Sequence, residues 1–222
     1  MFEALWPELG KALAAGVLAG GASAAMQWVA GKAVHAFRPG RTRGLAEPAR
    51  MERRLAAILA ADVVGYSRLM AADEEGTHSR LLTHRREVIE PKIREYRGRI
   101  VKNTGDGALA EFASAVDAVR CALAVQQAML VRNQEVPQGR RIELRMGVNL
   151  GDVIVEPEDI YGHAVNLAAR LEGLAAPGGI CISADTWRHV RGRIAAEFVD
   201  LGERELKNIA DPAHVFAVSP PA

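Results

Sequence analysis

The chain of 222 residues carries a formal net charge of +1, and 5% of its residues are aromatic. This length allows one substantial hydrophobic core and a small appendage. The near-neutral charge and the scattered basic residues argue against a nucleic-acid partner, and the few aromatics argue against stacking platforms for single strands. Cys121 and Cys181 lie far apart without metal-ligand spacing, which predicts buried thiols in a reducing compartment.

The first fifty residues differ in composition from the rest of the chain. Residues 12–31 form an uncharged run that is long enough to cross a bilayer core, but it consists mostly of Ala and Gly. Two interpretations stay open: a weak membrane anchor with a cytoplasmic basic flank, or a soluble helix that packs on a partner subunit. We assign residues 1–37 to this apolar helix, residues 38–52 to a linker rich in Pro, Gly and Arg, and residues 53–218 to one compact domain.

The compact domain begins with a short apolar run that ends at a carboxylate. Asp62 closes this run, and Val63 leads into a glycine-bearing turn, Gly65-Tyr66-Ser67. A buried strand that delivers an aspartate to its end, before a turn into a helix, suits a site for a metal ion and a phosphate. A purely structural role for Asp62, as the N-cap of the next helix, stays open at this point.

A second carboxylate is predicted at the tip of a β-hairpin. Helical periodicity covers residues 74–96, with a break expected at Pro91. Two β-rich apolar runs then flank Thr104-Gly105-Asp106-Gly107, and an Asp-Gly pair in this setting indicates a tight hairpin. Such a turn would present Asp106 to a metal ion, with Lys102 just before it. An ordinary surface turn is the alternative.

The order of the elements predicts the fold. Ser114 is the expected N-cap of a helix over residues 114–131, with Leu130 among its core positions. Residues 142–149 alternate as a strand, and Gly151 is expected to turn the chain into a second apolar run. The order strand, helix, hairpin, helix, strand predicts an α/β (α+β) fold with a ferredoxin-like βαββαβ core, preceded by the N-terminal Ala/Gly-rich helix.

Further polar groups follow this core. Asp159 precedes a glycine and a predicted helix that carries Asn166 and Arg170 at positions i and i+4. That spacing puts an amide and a guanidinium on one helix face, one turn apart, although an exposed polar stripe would look the same. Residues 205–208 and 215–218 are predicted to be closing strands, with Lys207 near a turn.

Taken together, these motifs resemble the catalytic domain of class III adenylate/guanylate cyclases of the bacterial type. The resemblance covers residues 53–218 and rests on segments that occur in the right order, at residues 60–67, 102–107, 146–153, 159–170 and 206–208. It implies that the metal ligands are Asp62, Val63 and Asp106, and that the phosphate-binding residues are Gly65, Tyr66, Ser67 and Lys207. It also implies that Lys102 and Asp159 read the base and that Asn166 and Arg170 are catalytic.

The resemblance implies an adenylate cyclase that converts ATP into 3′,5′-cyclic AMP and pyrophosphate. Two divalent cations, Mg²⁺ or Mn²⁺, would assist the attack of the ribose 3′-hydroxyl on the α-phosphate, and Arg170 would stabilise the reacting phosphate. Adenine accepts a hydrogen bond at N1 and donates one from its 6-amino group. Lys102 as donor and Asp159 as acceptor therefore favour ATP over GTP.

The resemblance also implies a homodimer with shared active sites. In the family, the metal aspartates come from one protomer and the base-reading and catalytic residues from the other, and this chain contains both sets. The catalytic domain would lie in the cytoplasm, with or without a membrane anchor. Two other functions stay open: a cyclase that uses GTP or a pyrimidine triphosphate, and a nucleotide-binding regulatory module that has lost catalysis.

Two positions depart from the family pattern or have no role in it. Asp152 stands in a segment where some family members have an arginine for the triphosphate, which leaves the phosphate contacts less defined. His163 has no family role, and we expect it to be a helix-start residue.

Overall fold

The computed structural model describes residues 51–221. The predictions of an apolar helix over residues 1–37 and of a membrane span over residues 12–31 lie outside the described residues, and so does most of the linker of residues 38–52. Within residues 51–221, no helix combines the length and the apolar composition that crossing a membrane requires.

One mixed sheet organises the described residues. Its strands, in chain order, are β1 (Arg53–Val63), β2 (Arg99–Thr104), β3 (Gly107–Phe112), β4 (Leu144–Val155), β5 (Ile160–Tyr161), β6 (Ile180–Ser183), β7 (Glu197–Arg204) and β8 (Ala213–Ser219). Their order across the sheet is β2-β3-β1-β4-β6-β8-β7, with β5 paired to β4. The pairs β2–β3, β3–β1 and β1–β4 are antiparallel, as a βαββαβ core requires, so the predicted fold is confirmed.

Helices cover the sheet. They are α1 (Tyr66–Ala72), α2 (Glu74–His84), α3 (Glu90–Glu95), α4 (Ala115–Asn133), α5 (His163–Leu174) and α6 (Ala184–Val190), with a π-helical segment (Arg85–Ile89) between α2 and α3 and a 3-10 turn (Gln138–Arg140) before β4. The predicted break near Pro91 is confirmed. Proline cannot donate an N–H to the helix, and the wider π turn lies directly before α3, which has Pro91 in its first turn.

Strand β1 lies at the centre of the core because both of its faces are covered. Residues 56–61 are all buried. Successive side chains of a strand point to opposite faces, so Leu59 belongs to the cluster that contains Val119 of α4, whereas Ile58 belongs to the cluster that contains Ala164 of α5. This double cover explains why the run before Asp62 is apolar without alternation.

The predicted hairpin is confirmed, with a shift of one residue in its turn. Thr104 pairs with Gly107, so the turn consists of Gly105 and Asp106 rather than the Asp-Gly pair. Gly105 has φ +78°, which glycine adopts without strain. Gly107 serves packing instead, because a Cβ there would lie 2.4 Å from the Ala61 carbonyl oxygen.

For α4, the predicted N-cap is confirmed, but one predicted core position is wrong. The Ser114 side chain accepts a hydrogen bond from the Asp117 N–H, as expected of an N-cap. Leu130, however, is 61% exposed. The buried stripe includes small residues, Ala118 and Ala122, which let the helix approach the sheet closely, and the larger Leu130 lies at the edge of that stripe.

Two predictions about strands are wrong. Strand β4 runs without a turn through Gly151, where a Cβ would lie 2.8 Å from the Ala164 Cβ, so this glycine makes room for α5. Residues 205–208 are not a strand, because Asn208 has φ +62° and Leu206 folds inward. The predicted strand over residues 215–218 is confirmed as part of β8, its neighbour in the sheet is β7, and Lys207 lies in the turn between them, near a turn as predicted.

Candidate active site

Asp62 and Asp106 lie together at one end of the sheet. Ala61 of β1 pairs with Ala108 of β3, which places the end of β1 beside the hairpin turn. Burial raises the pKa of Asp106, and the negative charge of Asp62 raises it further. Facing carboxylates with an excess of negative charge are a donor set that fits Mg²⁺ or Mn²⁺. Val63, a predicted carbonyl ligand, has a buried side chain and follows Asp62 in β1.

Lys102 and Asp159, which are far apart in the sequence, form an ion pair. Lys102 Nζ lies 2.9 Å from Oδ1 and 2.7 Å from Oδ2 of Asp159. Burial opposes ionisation of Asp159, but hydrogen bonds from Lys102 and from the Ile160 N–H outweigh it and hold the pKa of this carboxyl below its ordinary value. Tyr161, for which we predicted no role, lies beside Asp159, which raises the pKa of the Tyr161 hydroxyl, and its ring centroid lies 5.7 Å from Lys102 Nζ.

Asn166 and Arg170 lie on the side of α5 that faces away from the sheet. The opposite side of this helix is buried at Ala164 and Ala168, whereas Asn166 is exposed. Arg170 Nε donates a hydrogen bond of 2.9 Å to the Lys207 carbonyl oxygen. The structure therefore brings two residues of the predicted site together here.

The predicted phosphate turn adopts a conformation that suits glycine. Gly65 has φ +63° and precedes the first residue of α1, Tyr66, and both Gly65 and Ser67 are exposed. The guanidinium of Arg68 lies close by, 3.5 Å from the position that a Gly65 Cβ would take. Asp152, in contrast, is engaged in an exposed ion pair of 2.7 Å with Arg53.

Comparison with known proteins identifies the domain. Residues 51–219 match the family of the adenylate and guanylate cyclase catalytic domain. The chain belongs to this family. The resemblance noted in the sequence is thereby confirmed, and the described residues form a nucleotide cyclase domain. The arrangement of its sheet and helices agrees with solved cyclase structures.

Relatives of the cyclase domain include adenylyl and guanylyl cyclases. Putative adenylate cyclase 3 of Rhizobium meliloti (strain 1021) is 54% identical over 170 residues, which are 77% of this chain and 29% of that protein. The structure of an adenylate/guanylate cyclase/hydrolase from Silicibacter pomeroyi shares 48% identity, with a TM-score of 0.73, over 77% of this chain and 99% of that chain. The adenylyl cyclase CyaB from P. aeruginosa has 25% identity and a TM-score of 0.70, over 78% of this chain and 97% of that chain.

Sequence reasoning missed two charged residues next to the aspartates of the cyclase domain. Arg145 of β4 is the register partner of Asp62, and its Nη2 lies 3.1 Å from Asp62 Oδ2. On its other side, Arg145 Nε lies 3.4 Å from Oε1 of Glu172 in α5. This second contact is an ion pair without a hydrogen bond. Both atoms are buried, and neither has a hydrogen-bond partner among residues 51–221.

Glu172 has a strongly raised pKa. Burial raises its pKa to about 7, the charges of Asp62 and Asp106 act in the same direction, and Arg145 opposes them. The charged groups at this end of the sheet thus include three carboxyls and one guanidinium. No local spacing in the sequence indicates this cluster, since it depends on the register of β1 and β4 and on the way α5 crosses β4.

Proposed function

We propose that this domain is an adenylate cyclase, which converts ATP into 3′,5′-cyclic AMP and pyrophosphate at sites shared across a homodimer. The observation that carries the choice of ATP is the Lys102–Asp159 pair. Its hydrogen bonds keep the Asp159 carboxyl ionised at neutral pH, so that it acts only as an acceptor, while Lys102 acts only as a donor. Adenine offers the complementary acceptor at N1 and donor at its 6-amino group. Guanine has a carbonyl oxygen in place of the 6-amino group, so the Asp159 carboxylate would face another acceptor and could not form this hydrogen bond.

Asp62 and Asp106 are the proposed metal ligands, with the Val63 carbonyl as a third. Class III cyclases use divalent metals, and Mg²⁺ is commonly held by one or two carboxylates together with substrate phosphates. When bound, two such cations would favour ionisation of the ribose 3′-hydroxyl and neutralise charge on the phosphates. The carboxylates supply negative charge and oxygen donors, and their mutual repulsion in the metal-free protein would be relieved by a cation.

The orientation of α5 supports a shared site. Residues four positions apart lie on one helix face, so Asn166 and Arg170 point the same way, and that way is out of the protomer's own core. Groups that face outward from their own sheet are placed to act on a second protomer. We propose that they orient the ribose and stabilise the reacting phosphate there. Lys207, and the turn at Gly65, Tyr66 and Ser67, would bind the remaining phosphates.

Product analysis tests this proposal. The purified full chain is incubated with each nucleoside triphosphate in turn, with Mg²⁺ and then Mn²⁺, and cyclic products and pyrophosphate are quantified. We expect cyclic AMP from ATP and little product from GTP. A different cyclic nucleotide would contradict the reading of the Lys102–Asp159 pair, and no product with any nucleotide would contradict the proposed enzyme.

A pair of lysine variants then tests base recognition. Lys102→Met should raise KM for ATP about tenfold, because it removes one charged hydrogen bond to the base. Lys92→Met is the matched control, since Lys92 forms an ion pair of 2.8 Å with Glu95 on α3 and belongs to no proposed site. If Lys102→Met and Lys92→Met changed KM for ATP equally, a special role for Lys102 would be refuted.

A further inference from the structure

An arginine from the helical region reaches across to the hairpin turn that carries Asp106. Arg85 is the first residue of the π-helical segment. Its Nη2 donates hydrogen bonds to the carbonyl oxygens of Gly105 and Gly107, the second at 3.1 Å. These two carbonyls belong to the residues immediately before and after Asp106. One guanidinium therefore holds the backbone on both sides of a proposed metal ligand.

The turn is closed by the pairing of Thr104 with Gly107, and its first residues lie at the surface. A Cβ placed on Gly105 would meet nothing within 4 Å, and both Thr104 and Gly105 are exposed. The position of the Asp106 carboxyl thus depends on how the backbone of the turn is held. Asp62 and Asp106 carry charges of the same sign and repel each other, whereas the positive charge of Arg85 attracts Asp106.

Arg85 lies at the start of a helical irregularity. The Glu90 N–H bonds to the Arg85 carbonyl, five residues back, which widens the helix by one residue where Pro91 follows. Such π segments often occur at functional sites, because the extra residue reorients the side chains beside it. Arg86, the next residue, points elsewhere. Its side chain is 78% exposed and lies 3.5 Å from the carboxylate of Glu87.

We propose that Arg85 is a positioning residue of the cyclase domain: it clamps the Gly105-Asp106-Gly107 turn so that Asp106 faces Asp62 in a geometry ready for divalent cations. In this role Arg85 acts through the two backbone carbonyls that it holds. This inference rests on the proposed function for the identity of the cation. The clamp itself is a property of the metal-free chain and can be measured there.

Amide hydrogen exchange of the full chain without metal tests the clamp. In Arg85→Ala, the amides of residues 104–108 should exchange at least tenfold faster, since two charged hydrogen bonds to the turn are lost. Arg85→Lys should give an intermediate rate. Arg86→Ala is the matched control and should leave the turn unchanged. Exchange in β1 and β4 reports whether each variant is folded. An unchanged turn in folded Arg85→Ala and Arg85→Gln would overturn the proposal.

Direct Mn²⁺ binding, followed by electron paramagnetic resonance without nucleotide, tests what the clamp is for. Arg85→Ala should weaken Mn²⁺ binding about tenfold and raise the metal concentration for half-maximal rate by a similar factor. KM for ATP at saturating metal should stay constant, and Arg86→Ala should change none of these. A looser turn with unchanged Mn²⁺ affinity would overturn the positioning role. Failure of the wild type to bind Mn²⁺ would instead refute the proposed metal site, while the exchange result would still decide the clamp.

Discussion

Glu172→Gln should remove a pH-dependent loss of stability from the metal-free protein. The pKa of Glu172 is raised from 4.5 to about 7, first by burial and then by the charges of Asp62 and Asp106, against the attraction of Arg145. The folded chain therefore holds this proton more tightly than the unfolded chain does. The stability that this contributes is fully present below pH 4.5 and is lost as the pH rises to about 7.

The expected magnitude follows from the size of the rise. At 1.36 kcal/mol for each pH unit, it amounts to about 3 kcal/mol in total, of which about 2.5 kcal/mol falls between pH 5 and pH 8. The substitution keeps the size of the side chain and removes its ability to ionise. Arg145 retains its ion pair with Asp62 in the variant.

Urea unfolding in the presence of EDTA measures this difference. Between pH 5 and pH 8, the unfolding free energy of the wild type should fall by about 2.5 kcal/mol more than that of Glu172→Gln. Groups that titrate in both proteins and lie away from Glu172 cancel in the comparison. Glu205→Gln, which changes an exposed glutamate, is the control and should follow the wild type. If the unfolding free energies of wild type and Glu172→Gln changed equally between pH 5 and pH 8, the reasoning would be refuted.

Three further predictions concern the site and its packing. Asp106→Asn should abolish turnover yet leave the metal-free protein at least as stable as wild type in urea, because it removes a half-buried charge beside Asp62; near-normal turnover would contradict the metal assignment. Mixing inactive Asp62→Ala with inactive Arg170→Ala should restore about a quarter of wild-type activity, because half of randomly formed dimers are mixed and each holds one intact site. Inactivity of verified heterodimers would argue against a shared site. Gly147→Ala should cost about 1–3 kcal/mol of unfolding free energy, because a Cβ would lie 2.2 Å from the Ala168 carbonyl oxygen, whereas Gly173→Ala has open space and should add about 0.5–1 kcal/mol. If urea unfolding showed that both substitutions change the unfolding free energy in the same direction, this account would be contradicted.

The sequence was informative wherever a structural rule acts over a few neighbouring residues. The run that ends at Asp62, the hairpin around Asp106 and the cap at Ser114 each depend on such a rule, and each was predicted. Glycine was harder to interpret, because the same residue serves two purposes. Gly105 is required by a positive φ, whereas Gly151 is required by the close approach of α5, and only the first purpose is visible as a turn signal.

Contacts that depend on register could not be predicted in this way. Arg145 meets Asp62 because β1 and β4 pair in one particular alignment, and nothing in the local pattern around residue 145 indicates that alignment. Arg85 contacts the hairpin turn across a sequence separation of about 20 residues, and it lies at the start of a π segment that helical periodicity does not indicate. The family resemblance predicted that Lys102 and Asp159 act together as base-reading residues. The structure adds the ion pair that joins them.

The two sides of α5 connect the charged cluster to the proposed shared site. Gly147 lets the backbone of α5 lie directly against β4, where a Cβ would come within 2.3 Å of the Glu172 N–H nitrogen. This close packing brings Glu172 to the pair formed by Arg145 and Asp62 in its own protomer. Arg170, two residues earlier, lies roughly 160° away around the helix axis and points outward. If the proposed homodimer forms, one face of this helix is linked to Asp62 of its own protomer through the Glu172–Arg145–Asp62 contacts, and the other face supplies the catalytic arginine of the partner's site. Any change that moves α5 at Gly147 should therefore disturb both sites together.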